Sequence, residues 1–188
     1  ANLYTGGTTV SEGTLTVTNQ SGSATGTGAV TVSAGTLAGS GTISGAVTVG
    51  TGSGAGASLA PAFGSKKQVT LTLQSSLTLQ VDATYTYTFK ARGNETRTDL
   101  VIANGVTINS AKIKLKGKTQ GTLTPGLVLT LISNTSANPI SGTLCVGPLP
   151  PVTSDTNWSI VVLVAASDFA TDSVEGQRAR PSGVMRLD

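Results

Sequence analysis

Apolar and polar residues alternate along much of this chain, in short runs that a glycine or serine interrupts. Leu15-Thr16-Val17, Val30-Thr31-Val32 and Val47-Thr48-Val49 are the shortest examples. Longer ones are Val69-Thr70-Leu71-Thr72-Leu73, Leu77-Thr78-Leu79-Gln80-Val81, Tyr85-Thr86-Tyr87-Thr88-Phe89 and Lys112-Ile113-Lys114-Leu115-Lys116. A period of two sends successive side chains to opposite faces, so each run predicts a strand with one buried side. Residues 127–132 are almost continuously apolar, which predicts a strand covered on more than one side. Apolar residues three and four apart are not sustained over a helix length anywhere in 1–145. Polar clusters at 50–56, 91–98 and 133–138 read as turns.

The runs repeat. Val10-Ser11-Glu12-Gly13-Thr14-Leu15 returns 22 residues later as Val32-Ser33-Ala34-Gly35-Thr36-Leu37. Gly28-Ala29-Val30-Thr31-Val32 returns 17 residues later as Gly45-Ala46-Val47-Thr48-Val49. Repeats of about 20 residues are the length of one solenoid turn, and glycine suits its tight corners. Residues 1–144 are therefore expected to form one parallel β-solenoid domain with Leu15, Val17, Val30, Val32, Val47 and Val49 facing inward. Residues 145–188 read as an irregular C-terminal extension. Pro148, Pro150 and Pro151 end the ladder there, one strand follows over 158–164, and 175–188 is expected to be loosely ordered.

Asn2 to Leu15 reads N-L-Y-T-G-G-T-T-V-S-E-G-T-L. This resembles the autotransporter-associated β-strand repeat of large bacterial surface proteins. Gly26-Thr27-Gly28-Ala29-Val30-Thr31-Val32, Leu37-Ala38-Gly39-Ser40-Gly41-Thr42-Ile43 and Ser58-Leu59-Ala60-Pro61 continue the likeness over 2–61. A looser match runs to about Leu144. The resemblance implies a right-handed parallel β-helix exported to the bacterial cell surface, with no catalytic residues to carry over. The tail after Cys145 departs from the family pattern, and the family's membrane-embedded barrel is not in this sequence.

Composition narrows the picture. Charged residues are 11% of the chain, against roughly 25% in an ordinary domain. With 38% hydrophobic residues, such neutrality points to a packed chain rather than a disordered one. Glu12 is the single charge in residues 1–65, and every Lys and Arg lies from Lys66 onward. The net charge of +3 and the scarcity of aromatics argue against a nucleic-acid partner. The lone Cys145 excludes an intrachain disulfide and reads as a small buried hydrophobe, with an interchain disulfide as the alternative. The first residues have neither a basic nor an apolar leader region, which reads as a mature or excised chain. The longest apolar run, 160–166, falls far short of the ~20 residues a membrane-spanning helix needs.

Little in the sequence does chemistry. It has no histidine, which removes Ser-His-Asp and Cys-His catalysis and the commonest transition-metal ligand. Glu95 and Asp99 are the closest carboxylates in the repeat region. A glycosidase pair needs about 5–10 Å between carboxyls, but their neighbours Arg92 and Arg97 make a solvated turn with internal ion pairs the simpler reading. The glycine-rich stretch 50–56 lacks the Lys-Ser/Thr ending of a phosphate loop and reads as a corner. Thr14, Thr16 and Thr18, with Thr84, Thr86 and Thr88, raise ice binding, but the two runs lie far apart.

Two groups stand out. Lys112, Lys114, Lys116 and Lys118 share one face of a strand, opposite Ile113 and Leu115. They read either as a solvated, aggregation-resisting face or as a contact for an anionic glycan. Trp158, Ile160 and Val162 form an apolar, β-prone segment suited to self-association. The repeat begins without a polar cap, which leaves a strand edge open to a neighbour. The chain is thus expected to be a non-catalytic segment of a secreted or cell-surface bacterial solenoid, serving as scaffold, filament subunit or adhesin. Its expected partners are further copies end to end and surface glycans, with no cofactor, metal, nucleic acid or membrane span. A polysaccharide-binding or polysaccharide-degrading β-helix is the alternative.

Overall fold

The structure, a computed structural model, describes residues 1–54, 56–92, 95–120, 127–145, 152–153 and 159–164. Every regular element among them is a strand. The chain makes successive passes. The first holds β1 (Thr8–Val10) and β2 (Thr14–Val17), and the second β3 (Val30–Val32), β4 (Thr36–Gly39) and β5 (Thr42–Ile43). The third holds β6 (Val47–Val49), β7 (Ala57–Leu59) and β8 (Thr70–Leu73). The fourth adds β9 (Leu77–Leu79), β10 (Ala83–Arg92), β11 (Glu95–Thr98) and β12 (Leu100–Ala103). Then come β13 (Val106–Gln120), β14 (Leu127–Asn134), β15 (Ser141–Cys145), β16 (Val152–Thr153) and β17 (Ser159–Val164).

Strands of successive passes pair in parallel, in three files. One runs β1, β3, β6, β9 and the first part of β13. The second runs β2, β4, β7, β10 and the second part of β13. The third runs β5, β8, β12 and β14. β13 serves two files, with a register shift between Asn109 and Ala111 and Ser110 at φ 54° where it passes between them. An extra residue there lets one strand change direction without leaving the ladder. The result is an all-β chain of many-stranded, mostly parallel sheets, compatible with a β-helix.

The ladder register is the repeat register. Val10 pairs with Val32 and Leu15 with Leu37, the 22-residue repeat. Val30 pairs with Val47 and Val32 with Val49, the 17-residue repeat. Like residues therefore stack on like. Val17, Val30, Val32, Val47 and Val49 are buried, each such side chain worth about 1.5–3 kcal/mol. Leu15 differs from expectation in being only half-buried, while its file-mates Leu37 and Leu59 are fully buried. β2 pairs on one side only among the described residues, so nothing there covers the outer side of Leu15.

The corners are held by polar side chains that take the place of a strand partner. Asn19 Oδ1 accepts the Thr42 amide at 2.9 Å, and its Nδ2 donates to the Gly22 carbonyl at 2.7 Å. Buried Asn134 accepts the Gly105 amide at 2.9 Å and donates to the Asn138 carbonyl at 2.7 Å. Backbone groups that leave the ladder at these points are thereby satisfied.

Three antiparallel pairings interrupt the parallel order: β11 on β10, β16 on β15 and β17 on β14. The first corrects the reading of 91–98 as a turn. Residues 95–98 are polar on both faces, so no hydrophobic stripe marked them as strand. The prolines 148, 150 and 151, Trp158 and the segment 175–188 lie outside the described residues.

The stacking is tight enough to require glycine. A Cβ on Gly45 would collide with the carbonyl of Gly28, and one on Gly28 with the carbonyl of Gly6. A Cβ on Gly6 would meet nothing within 4 Å. Gly45→Ala should therefore destabilise the chain by roughly 1–3 kcal/mol through forced separation of two passes. Gly6→Ala should stay within about 0.5 kcal/mol of the parent. Urea denaturation of the two variants checks the contrast.

Candidate functional site: a basic face on three adjoining strands

The densest charge in the described chain lies where β10 outgrows β7. β7 pairs with β10 only at Ala83, Thr84 and Tyr85. Beyond that, β11 folds back antiparallel and covers the same edge of β10 from Phe89 to Arg92, while β13 follows its other edge from Thr84 to Arg92.

Asp99 fastens this arrangement. Its carboxylate accepts the Thr88 amide at 3.0 Å and the Val69 amide at 3.1 Å, and its own amide donates to the Thr88 carbonyl at 2.9 Å. It is fully buried, which corrects its reading as part of a solvated turn beside Glu95. Desolvation pushes its pKa up, against the two backbone donors that favour the charged form. Glu95 is exposed. The two carboxyls therefore lie in unlike settings, one inside the protein and one in water.

The inner face of β10 is aromatic. Tyr85, Tyr87 and Phe89 are buried, with Tyr85 and Tyr87 edge to face at 6.2 Å between centroids. The Tyr85 hydroxyl donates to the Leu131 carbonyl at 2.9 Å and the Tyr87 hydroxyl to the Thr130 carbonyl at 3.2 Å. These carbonyls sit at the register shift between Thr130 and Ile132 of β14. Burial pushes both hydroxyls well up, keeping them protonated donors.

With the inner face filled, alternation sends the cations outward. Lys112, Lys114 and Lys116 are exposed, as expected, and Ile113 between them is buried. Thr84, Thr86 and Thr88 stand beside them in register. Lys90 lies between Arg97 on one side and Lys118 on the other. The Lys118 side chain is outside the described residues. Exposed Arg92 follows two positions after Lys90. The Lys90 ammonium donates to the Lys66 carbonyl at 2.6 Å, bringing exposed Lys66 and Lys67 to the same edge. Glu95 is the only carboxylate on these three strands. Strand alternation alone picks out the β13 lysines but misses Lys90, Arg92 and Arg97, because only the pairing of β10 with β11 and β13 brings them alongside.

The other groups singled out in the sequence fall elsewhere. Ile160 and Val162 lie in β17, opposite Ile132 and Leu129 of the same chain. Cys145 is free and half-buried. Thr14 joins Thr84 through Thr36 and Ser58 in one file, but beside it Thr16 meets buried Ala38, so no paired threonine column forms. The 50–56 corner does cradle an anion, and the anion is the chain's own. Asp82 accepts the amides of Gly52 at 2.8 Å, Gly54 at 3.0 Å and Thr51 at 3.1 Å. Desolvation works upward there, but those donors outweigh it and hold the carboxyl at about 2. Among the described residues, no group of three or more His, Cys, Asp or Glu could hold a metal ion, and no helix is long and apolar enough to cross a membrane. No family model, curated protein or solved structure matches the chain.

Ile113→Asp should cost several-fold more stability than Lys114→Asp, because only the former buries a charge; thermal denaturation of both variants measures it. Asp82 and Asp99 should act oppositely on pH dependence. Asp82 binds its proton less tightly when folded, so its contribution is present above its ordinary value of 3.8 and lost as pH falls through about 2. Asp99 binds its proton more tightly when folded, so stability declines as pH rises above the ordinary carboxylate value toward its raised one. Asp82→Asn should flatten the acid limb and Asp99→Asn the decline above it, in urea midpoints followed against pH.

Proposed function

We propose that this chain is a non-catalytic segment of a secreted or cell-surface bacterial β-solenoid, right-handed and closed, of the autotransporter-repeat type. It serves as a scaffold, filament subunit or adhesin. The observation that carries this reading is the in-register parallel stacking of pass upon pass, with like residues superposed. Such a body is a rigid spacer whose length grows one pass at a time. The likeness of residues 2–61 to the surface-protein repeat supports export. The absence of histidine, and the use of Asp82 and Asp99 as backbone acceptors, supports a structural rather than a catalytic role.

We also propose association end to end with a second copy. Successive passes pair in parallel with like residues superposed, and a coil of a second copy can continue such a ladder in the same register. Ile160 and Val162 of the tail strand pair with β14 of their own chain.

Light scattering over a range of concentrations tests the association. The wild-type chain should grow beyond the monomer as its concentration rises. A wild-type chain that stays monomeric throughout would refute end-to-end contact. Incubation with common polysaccharides should leave their chain lengths unchanged; sustained cleavage abolished by Glu95→Gln would favour the degrading alternative.

A further inference from the structure

The cations on β10, β11 and β13 are placed at a cost. Like charges directly across a sheet repel, yet exposed Arg97 and Lys90 stand directly opposite on adjoining strands. Lys112, Lys114 and Lys116 continue the charge along β13, with Arg92 near its far end. A purely solvating surface would intersperse carboxylates. Here Glu95, directly opposite Arg92, is the only carboxylate on these three strands, against Lys90, Arg97 and the β13 lysines. Meanwhile residues 1–65 carry one charge in all. Among the described residues the cations are concentrated on one patch rather than spread for solubility.

We propose that the outer face of β10, β11 and β13 binds a linear acidic polysaccharide. Alternation along β13 spaces Lys112, Lys114 and Lys116 at about 6.7 Å, and the strands themselves lie about 4.8 Å apart. The result is a two-dimensional array of cations that a rod-like polyanion can follow over several residues. The half-buried hydroxyls of Thr84, Thr86 and Thr88 lie in register beside the lysines and suit the hydroxyls of a sugar. The patch is less suited to a single-stranded nucleic acid. That ligand wants aromatic platforms for its bases, and the aromatics of β10 all face inward. This inference stands apart from end-to-end association, since the face on β10, β11 and β13 needs no second copy.

Binding of polygalacturonate to the full chain tests it, with dextran as a neutral control and a single-stranded oligonucleotide as a second polyanion. Polygalacturonate should bind and weaken steeply with added salt, while dextran should not bind. Lys114→Gln and the Lys90→Gln/Arg97→Gln pair should each weaken binding, by about fivefold per charge removed. Ser76→Asp changes net charge by the same amount as Lys114→Gln but lies in the exposed turn between β8 and β9, and should leave affinity unchanged. Equal losses from Ser76→Asp and Lys114→Gln would overturn the site, because net charge alone would then explain the binding. Equal or tighter binding of the oligonucleotide at matched ionic strength would overturn the polysaccharide assignment. Melting temperatures of the variants, expected to stay at the wild-type value, separate lost contacts from lost structure.

Discussion

Parallel register between successive passes of the chain underlies every other feature of this molecule. A parallel strand cannot reach its neighbour by a tight turn, so the chain must travel around before each pairing. Once the register is set, every later residue inherits its place. Val30 lies over Val47, and Val47 over Leu77, so aliphatic residues face inward along that file. A slip of one residue would turn each file inside out. The glycines at 28 and 45 serve the same register, because there one pass runs against another with no room for a side chain.

Register also explains where charge is tolerated. Inside the ladder, polar groups replace a missing backbone partner. Asn19, Asn134, Asp82 and Asp99 each accept amides at points where the chain leaves one file for the next. The two carboxylates differ because their surroundings differ. Asp82 lies partly open to water within three close amides, and Asp99 lies sealed beneath β10 and β11. Asp99 thereby holds the hairpin return that carries Arg97 to the side of Lys90. The basic face is thus a product of the same corner chemistry that joins the passes.

The inner and outer faces of β10 divide the work between stability and contact. Three buried rings and two tyrosine hydroxyls tie β10 across the interior to β14. That anchoring leaves the threonines and Lys90 no alternative but the surface. A rigid sheet face presents its cations without the ordering cost that loop-borne side chains carry, which suits a surface meant to meet an extended ligand repeatedly.

The strands, their faces and the register of the first passes are written in the order of the residues. Period-two alternation and literal repeats report local geometry, and a repeat that superposes on itself is already a ladder. Hence Val10 over Val32 and Val30 over Val47 were legible from spacing alone, as was the outward row of Lys112, Lys114 and Lys116. Which distant strands become neighbours was settled in three dimensions. Residues 95–98 carry no hydrophobic stripe, so nothing local marks them as a strand, and their pairing rests on β10 overhanging β7. The burial of Asp99, the partial exposure of Leu15 and the register pairing of Lys90 with Arg97 and Lys118 are likewise non-local. Each depends on what lies across the ladder, and the number of residues between passes, which sets those partners, varies along the chain with no local signal.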